Sequence, residues 1–289
     1  MHDIATAPQV RSVYLAVKRG SAPAMELGRE IREALSGLGV ACLLREQPGG
    51  GVPIPEPGGP QSFDLALVLG GDGTFISTAR SLVEWEIPFL GVNLGTVGFL
   101  ADLSTSDWRE RLPAVLEGGY TVTRNPLLSF KVWRQGSVRH QGVAVNDIVI
   151  SRGALARLIR LGFLHDGRSV ISMRSDGVVV STPTGSSAYG VSAGGPLLVP
   201  GVEAFSVVPI CPFLNGFKPL VLPADKRLEI EVQGDPSDVT ITEDGQVSVP
   251  IAAGDVIEIE RHERDLLLAE TGRSSYFDKL KAKGFLVER

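Results

Sequence analysis

The pattern of apolar residues changes character near Gly118, and that change limits what this chain can fold into. From residue 12 to about residue 118, short apolar runs alternate with segments of helical periodicity, which is how a parallel sheet with covering helices is written in sequence. Further on, closely spaced strand patterns follow one another with turn residues between them and few helices. At 289 residues the chain also exceeds one typical domain of roughly 100–200 residues. The expected organisation is an α/β domain over residues 1–119, a β-rich domain over 120–265, and a tail over 266–289 that packs back on the domains.

In the first half, residues 12–17, 41–44, 65–69 and 89–92 are expected as strands, and 74–83 and 108–116 as helices. A further helix over residues 24–38 carries the stripe Leu27, Ile31, Leu35 and Leu38 and is stopped by Gly39. Between them, ten of the thirteen residues 48–60 are Gly or Pro, which leaves little to bury and predicts a mobile loop. In the second half, strands are expected at 121–124, 127–132, 144–150, 158–164, 178–181, 206–210, 228–232, 239–242, 246–249 and 256–259. Residues 274–283 predict a helix with Tyr276, Phe277 and Leu280 on one side and Ser274 or Ser275 as N-cap.

Composition removes several function classes. With 28 Lys and Arg against 33 Asp and Glu, and no long basic run, nucleic acid is not expected as the main partner. Cys42 and Cys211 lie far apart without a Cys-x-x-Cys spacing, which argues against a disulfide framework or a structural zinc site and fits a reducing cytoplasm. The first twelve residues lack a signal-peptide layout, and no stretch reaches the roughly 18 apolar residues of a membrane span, so no membrane partner is expected.

The sharpest local signal is Gly70-Gly71-Asp72-Gly73-Thr74, between an expected strand and an expected helix. Glycines there let backbone N–H groups approach phosphate at a helix N-terminus, beyond the carboxyl end of a strand. Asp72 is odd in such a cradle, so it is either a working group or simply the cap of the helix. A second glycine turn, residues 93–100 (NLGTVGFL), follows the next strand, with Phe99 either a wall for a base or an ordinary core residue. Asn146-Asp147 interrupts an apolar run, and either satisfies turn backbone or faces a polar ligand. Ser175-Asp176-Gly177, then residues 181–189 (STPTGSSAY) and 192–196 (SAGGP), have little bulk and many short donors, which suits a hydroxyl-rich ligand or a plain loop. No P-loop, dinucleotide fingerprint, G-x-S-x-G elbow or histidine ligand spacing is present.

These motifs in this order, with a late TEDGQ at 242–246, make residues 12–283 resemble the bacterial NAD kinases. The GGDGT turn alone is shared with diacylglycerol and sphingosine kinases and phosphofructokinases; the full series is far more specific. The resemblance implies a Rossmann-like α/β N-terminal domain, a β-rich C-terminal domain of layered β-sandwich form with a helical tail, a cleft for NAD, and a homodimer or homotetramer. It implies Mg2+-dependent transfer of phosphoryl from ATP or polyphosphate to the 2'-hydroxyl of NAD's adenosine ribose. Carried onto this chain, Asp72 would be the proton acceptor, and Gly70, Gly71, Gly73 and Thr74 would form the phosphate-donor loop. Gly73, Phe99, Asn146, Asp147, Asp176, Ser187, Ala188, Tyr189, Ser192 and Gln246 would contact NAD, with Asp244 in the same late motif. Many family members have Glu at position 147 and Thr at 187, which puts local contacts in doubt. Arg174 leans toward ATP as donor. A lipid kinase sharing GGDGT, and a non-catalytic NAD(P)-binding regulator, are the rival readings.

Overall fold

The computed structural model describes residues 8–47, 63–95, 98–153, 157–215, 217–234 and 238–286. The Gly/Pro-rich segment expected as a mobile loop, and Thr96 and Val97 of the second glycine turn, lie outside the described residues. Contacts divide the chain into two units, one from the described residues up to Arg124 and from Leu266 onward, the other Asn125–Asp265.

The first unit begins β1 (Ser12–Val17), α1 (Ala22–Gly37), β2 (Ala41–Glu46), β3 (Leu65–Gly70), α2 (Asp72–Leu82), β4 (Phe89–Asn93), β5 (Ala101–Ser104) and α3 (Trp108–Leu116). The strands pair in parallel in the order β2-β1-β3-β4-β5. β3 and β4 are buried at every position and β1 at all but Ser12, as strands covered on both faces require, and each fully buried Leu contributes about 1.5–3 kcal/mol. α1 starts at Ser21, whose side chain accepts the Ala24 N–H at 3.4 Å. Its buried face is Ala24, Gly28, Ile31 and Leu35, rotated from the expected stripe, and Leu38 is 55% exposed at the C-cap. Gly28 explains the rotation: a Cβ there would lie 2.8 Å from Val17 Cγ1, so the missing side chain lets the helix sit close on the sheet.

The second unit is built on β6 (Thr121–Arg134), β7 (Ser137–Ala144), β8 (Asp147–Arg152), β9 (Ile159–His165), β10 (Arg168–Ser175), β11 (Gly177–Ser181), the single turn α4 (Tyr189–Ser192), β12 (Ala204–Ile210), β13 (Leu220–Pro223), β14 (Leu228–Gln233), β15 (Val239–Glu243), β16 (Val247–Ile251) and β17 (Val256–Glu270). One antiparallel sheet runs β13-β12-β11-β8-β15-β16; facing it, β10-β9-β14-β17 continues through β6 to β7. Ile148, Ile150, Val178, Val180 and Ile241 from the first sheet and Leu161, Phe163, Ile230, Ile257 and Ile259 from the second share one core, which makes the unit a β-sandwich.

Three expectations need correction here. The strands expected at 121–124 and 127–132 are one continuous β6, and the short strand at 256–259 extends to Glu270. The run 144–150 is broken, because β7 ends at Ala144 and β8 starts at Asp147, leaving Asn146 in the turn between them rather than in a strand. After β17 the chain returns to the first unit, where Leu268 pairs with Phe89 of β4 and α5 (Tyr276–Ala282) follows. Ser275 caps α5 in a reciprocal capping box with Asp278. Among the described residues no helix is long and apolar enough to cross a membrane, and both cysteines are free.

Candidate functional site

In the first unit the chemistry gathers where β3 meets α2. Gly70 is required there because a Cβ would lie 2.6 Å from Thr74 Cβ. Gly71 is the extended N-cap, and its carbonyl accepts the N–H groups of Thr74 and Phe75 at 3.0 and 3.1 Å. The helix therefore begins at Asp72, two residues before the sequence pattern suggests. Asp72 does not cap its own helix with its side chain. Instead Oδ2 accepts the Phe99 N–H at 2.9 Å and Oδ1 the Leu100 N–H at 3.2 Å. Gly98 makes this possible, since a side chain at that position would overlap the Asp72 carboxylate. Asp72 is half-buried with its carboxylate fixed by two amides, and Gly71 and Gly73 on either side of it are exposed.

Phe99 is half-buried beside α5, with its ring 6.5 Å from that of Tyr276 and 5.9 Å from that of Phe285. Its carbonyl accepts from Lys279 Nζ at 3.0 Å. Lys279 is buried and lies 4.0 Å from Asp102 Oδ1, while Asp102 Oδ2 accepts both the N–H and the hydroxyl of Thr271 at 2.7 and 2.6 Å. Sequence reasoning missed Lys279 and Asp102; α5 carries both Lys279 and Lys281, and nothing in the sequence says which one turns inward.

In the second unit the turn between β7 and β8 is held from two sides. Asp244, at φ +51°, accepts the N–H groups of Val145, Asn146 and Asp147 at 3.1, 2.6 and 3.2 Å, and its own N–H donates to the Asp147 carbonyl at 2.9 Å. Opposite, the Thr182 hydroxyl donates to the Val145 carbonyl at 2.7 Å and its N–H to the Asn146 carbonyl at 2.9 Å. The same hydroxyl accepts the Gly185 N–H at 3.0 Å, and any side chain at Gly185 would overlap the Asn146 backbone. Asp147 is only 4% exposed. Burial first, and then the neighbouring Asp244 charge, push its carboxyl up from 3.8 to about 7, while the Tyr189 N–H that it accepts pulls the other way. Asn146 Oδ1 is buried with no hydrogen-bond partner among the described residues.

The loop after β11 is more structural than its hydroxyl content suggests. Ser186 is buried and bridges Pro183 and Leu198. The Ser187 and Ser192 hydroxyls donate back to Thr184 and Ala188 at 3.3 and 3.4 Å, long bonds that a better acceptor can replace. Tyr189 is 44% exposed. Asp176 pairs with Arg152 Nε at 2.5 Å, and Gln246 sits in the turn after β15, donating its N–H to Glu243. Arg174 is exposed on β10 with its guanidinium 5.6 Å above the Phe213 ring. The fold thus joins Asp72 to Gly98, Phe99 and Leu100 in one unit, and Asn146 and Asp147 to Thr182, Gly185, Tyr189 and Asp244 in the other. Arg174 and Asp176 have other partners.

Known proteins with the same pattern are extensive matches. The family described as ATP-NAD kinase N-terminal domain matches residues 57–120, and the ATP-NAD kinase C-terminal domain matches 145–271. A NAD kinase of Nitratidesulfovibrio vulgaris (strain DSM 19637 / Miyazaki F) is 44% identical over 280 residues, 97% of this chain and 98% of that one. The crystal structure of a NAD kinase from Archaeoglobus fulgidus in complex with ATP superposes with a TM-score of 0.73 at 29% identity, covering 94% of this chain and 98% of that one. Yeast NADH kinase, crystallised with NADH, has the same fold with a TM-score of 0.81 at 24% identity, covering 96% and 87%.

Proposed function

The chain belongs to the NAD kinase family, and from that premise we propose how its residues divide the work of phosphorylating NAD to NADP with ATP as the donor. The 2'-oxygen of the adenosine ribose attacks the terminal phosphorus of ATP, the new O–P bond forms as the bond to the ADP oxygen breaks, and the hydroxyl proton passes to Asp72. One observation carries this assignment: the Asp72 carboxylate is held by the Phe99 and Leu100 amides, one to each oxygen. Each oxygen keeps a further lone pair, so a substrate hydroxyl can be oriented without releasing the amides. Gly71 and Gly73 are exposed at the start of α2, where the lack of side chains would let phosphate oxygens come close to the backbone.

Asn146 and Asp147 hold adenosine and ribose groups in this proposal, Ser187, Ala188, Tyr189, Ser192 and Gln246 line further dinucleotide surface, and Asp176 reaches the nicotinamide end. The support is local: a buried Asn146 oxygen in want of a donor, an Asp147 carboxyl beside Tyr189, and two serine hydroxyls in long bonds. Among the described residues no group of three or more His, Cys, Asp or Glu side chains could hold a metal ion. Mg2+ is proposed as part of the donor, carried on ATP phosphates, a mode that this ion favours because it keeps waters and needs few carboxylates. Arg174 supports ATP over polyphosphate, and a homodimer or homotetramer in the cytoplasm completes the proposal.

The deciding assay uses the purified protein with Mg2+, NAD and either ATP or polyphosphate, scored for NADP, with sedimentation giving the oligomer. NADP formation with ATP and little with polyphosphate is expected. NAD binding without NADP, or phosphorylation of a lipid acceptor instead, would overturn the assignment.

A further inference from the structure

We propose that Lys279 is a positioning residue for phosphoryl transfer, acting on Asp72 through the single peptide group that joins Phe99 to Leu100. The inference rests on the reading of Asp72 as proton acceptor. The carbonyl of Phe99 and the N–H of Leu100 belong to one rigid plane. Lys279 Nζ donates to that carbonyl at 3.0 Å, and the N–H on the other side of the plane donates to Asp72 Oδ1 at 3.2 Å. An ammonium on the carbonyl polarises the amide and strengthens its N–H as a donor, the cooperative effect of hydrogen bonds in series. The Phe99 N–H, in the neighbouring peptide, holds the other carboxylate oxygen at 2.9 Å, so the peptide that Lys279 contacts governs the Oδ1 side.

The surroundings argue that the cation is placed and not incidental. Lys279 is 8% exposed, and burying an ammonium costs several kcal/mol unless partners offset it. The offset comes from the Phe99 carbonyl and from Asp102, which is itself anchored by Thr271. The capping box at Ser275 fixes where α5 starts, one turn before Lys279. Tyr276 and Phe285 flank the Phe99 ring and resist its displacement. A lysine stem used only to fill space would leave its nitrogen in water; this one is aimed at a peptide that the proposed base depends on.

Lys279→Met keeps the stem and removes the donor and charge, Lys279→Gln keeps a donor without charge, and Lys279→Arg keeps both. Steady-state kinetics at a temperature where circular dichroism shows each variant folded should give Lys279→Met a kcat lower by about 10- to 100-fold, with KM for NAD and ATP moved by less than about twofold. Lys279→Arg should restore most of the loss, with Lys279→Gln between. In an Asp72→Asn background, Lys279→Met should cause no further fall, because the two act through one contact. Unchanged kcat in Lys279→Met beside a crippled Asp72→Asn would overturn the Lys279 role alone, as would effects that multiply in the double variant. Full turnover by Asp72→Asn would remove the base assignment and this proposal with it. If Lys279→Met does not fold, Lys279→Gln against Lys279→Arg decides: equal kcat values overturn the proposal.

Discussion

Two carboxyl groups, one in each unit, come from different short motifs and end in opposite surroundings. Asp72 is half-buried and meets two backbone N–H groups, one on each oxygen. Asp147 is almost fully buried, accepts one N–H from Tyr189 and faces Asp244, so that its carboxyl is pushed up to about 7. A carboxylate whose lone pairs are aimed by fixed donors suits taking a proton from an incoming hydroxyl. A carboxyl closed in beside a second acid suits sharing a hydrogen with whatever is bound there. The difference teaches that the assignment of roles lies in the neighbours, since the side chains are identical.

The largest test of that contrast is Asp72→Asn. An amide cannot take the proton, so NADP formation should fall by about 10²–10⁴, or roughly 3–5 kcal/mol of barrier, with the fold intact by circular dichroism. An equal fall from Asp147→Asn would erase the distinction. The second test is stability against pH. Because the folded Asp147 carboxyl is raised from 3.8 to about 7, its contribution is fully present below about pH 4 and is lost as pH rises through about 7. Asp147→Asn mimics the protonated form and should unfold at higher denaturant than the parent at pH 8, by up to about 4 kcal/mol, with the gap closing near pH 4. A pH-independent gap would mean the carboxyl is not desolvated.

Smaller effects sharpen the same comparison. Gly98→Ala should push Asp72 off its two amides and lower kcat by roughly 10²-fold while thermal stability changes far less. Arg152→Gln removes an ion pair whose members are each about one quarter exposed, so urea unfolding should shift by no more than about 1 kcal/mol. A change in KM for NAD in that variant, with kcat constant, would support the placement of Asp176 at the nicotinamide end.

How much of this was legible in the sequence follows burial. β1 and α3 stand where the pattern puts them, and β3 and β4 run one residue further, because strands covered on both faces are unbroken apolar runs. β7 and β10 escaped notice because they are largely exposed, with Arg139, His140 and Gln141 in one and Arg168, Ser169 and Ser172 in the other, so no period-two alternation shows. β17 was cut short because its buried positions beyond Ile259, His262, Leu266 and Ala269, lie three or four residues apart, and charged residues fill the gap from 263 to 265, so no period-two pattern shows. At the site, a glycine-rich turn pointed to Asp72, and a polar pair inside an apolar run pointed to Asn146-Asp147. Phe99 and Asp244 were already candidates, but the way the site is held was not legible: Phe99 and Leu100 act through backbone N–H groups that side-chain identity does not announce. Asp244 reaches its three amides from nearly a hundred positions away, which only the fold brings together.

The stranded oxygen of Asn146 has a consequence for selectivity. A buried acceptor without a partner among the described residues costs about 1–3 kcal/mol. In the proposed role, a ligand that brings an N–H or O–H to it offsets that cost, whereas a close mimic with only C–H at the same point does not. If Asn146 faces the adenosine as proposed, discrimination between near-identical nucleotides would arise from this one acceptor, and pairing it by engineering would make the protein sturdier and less choosy.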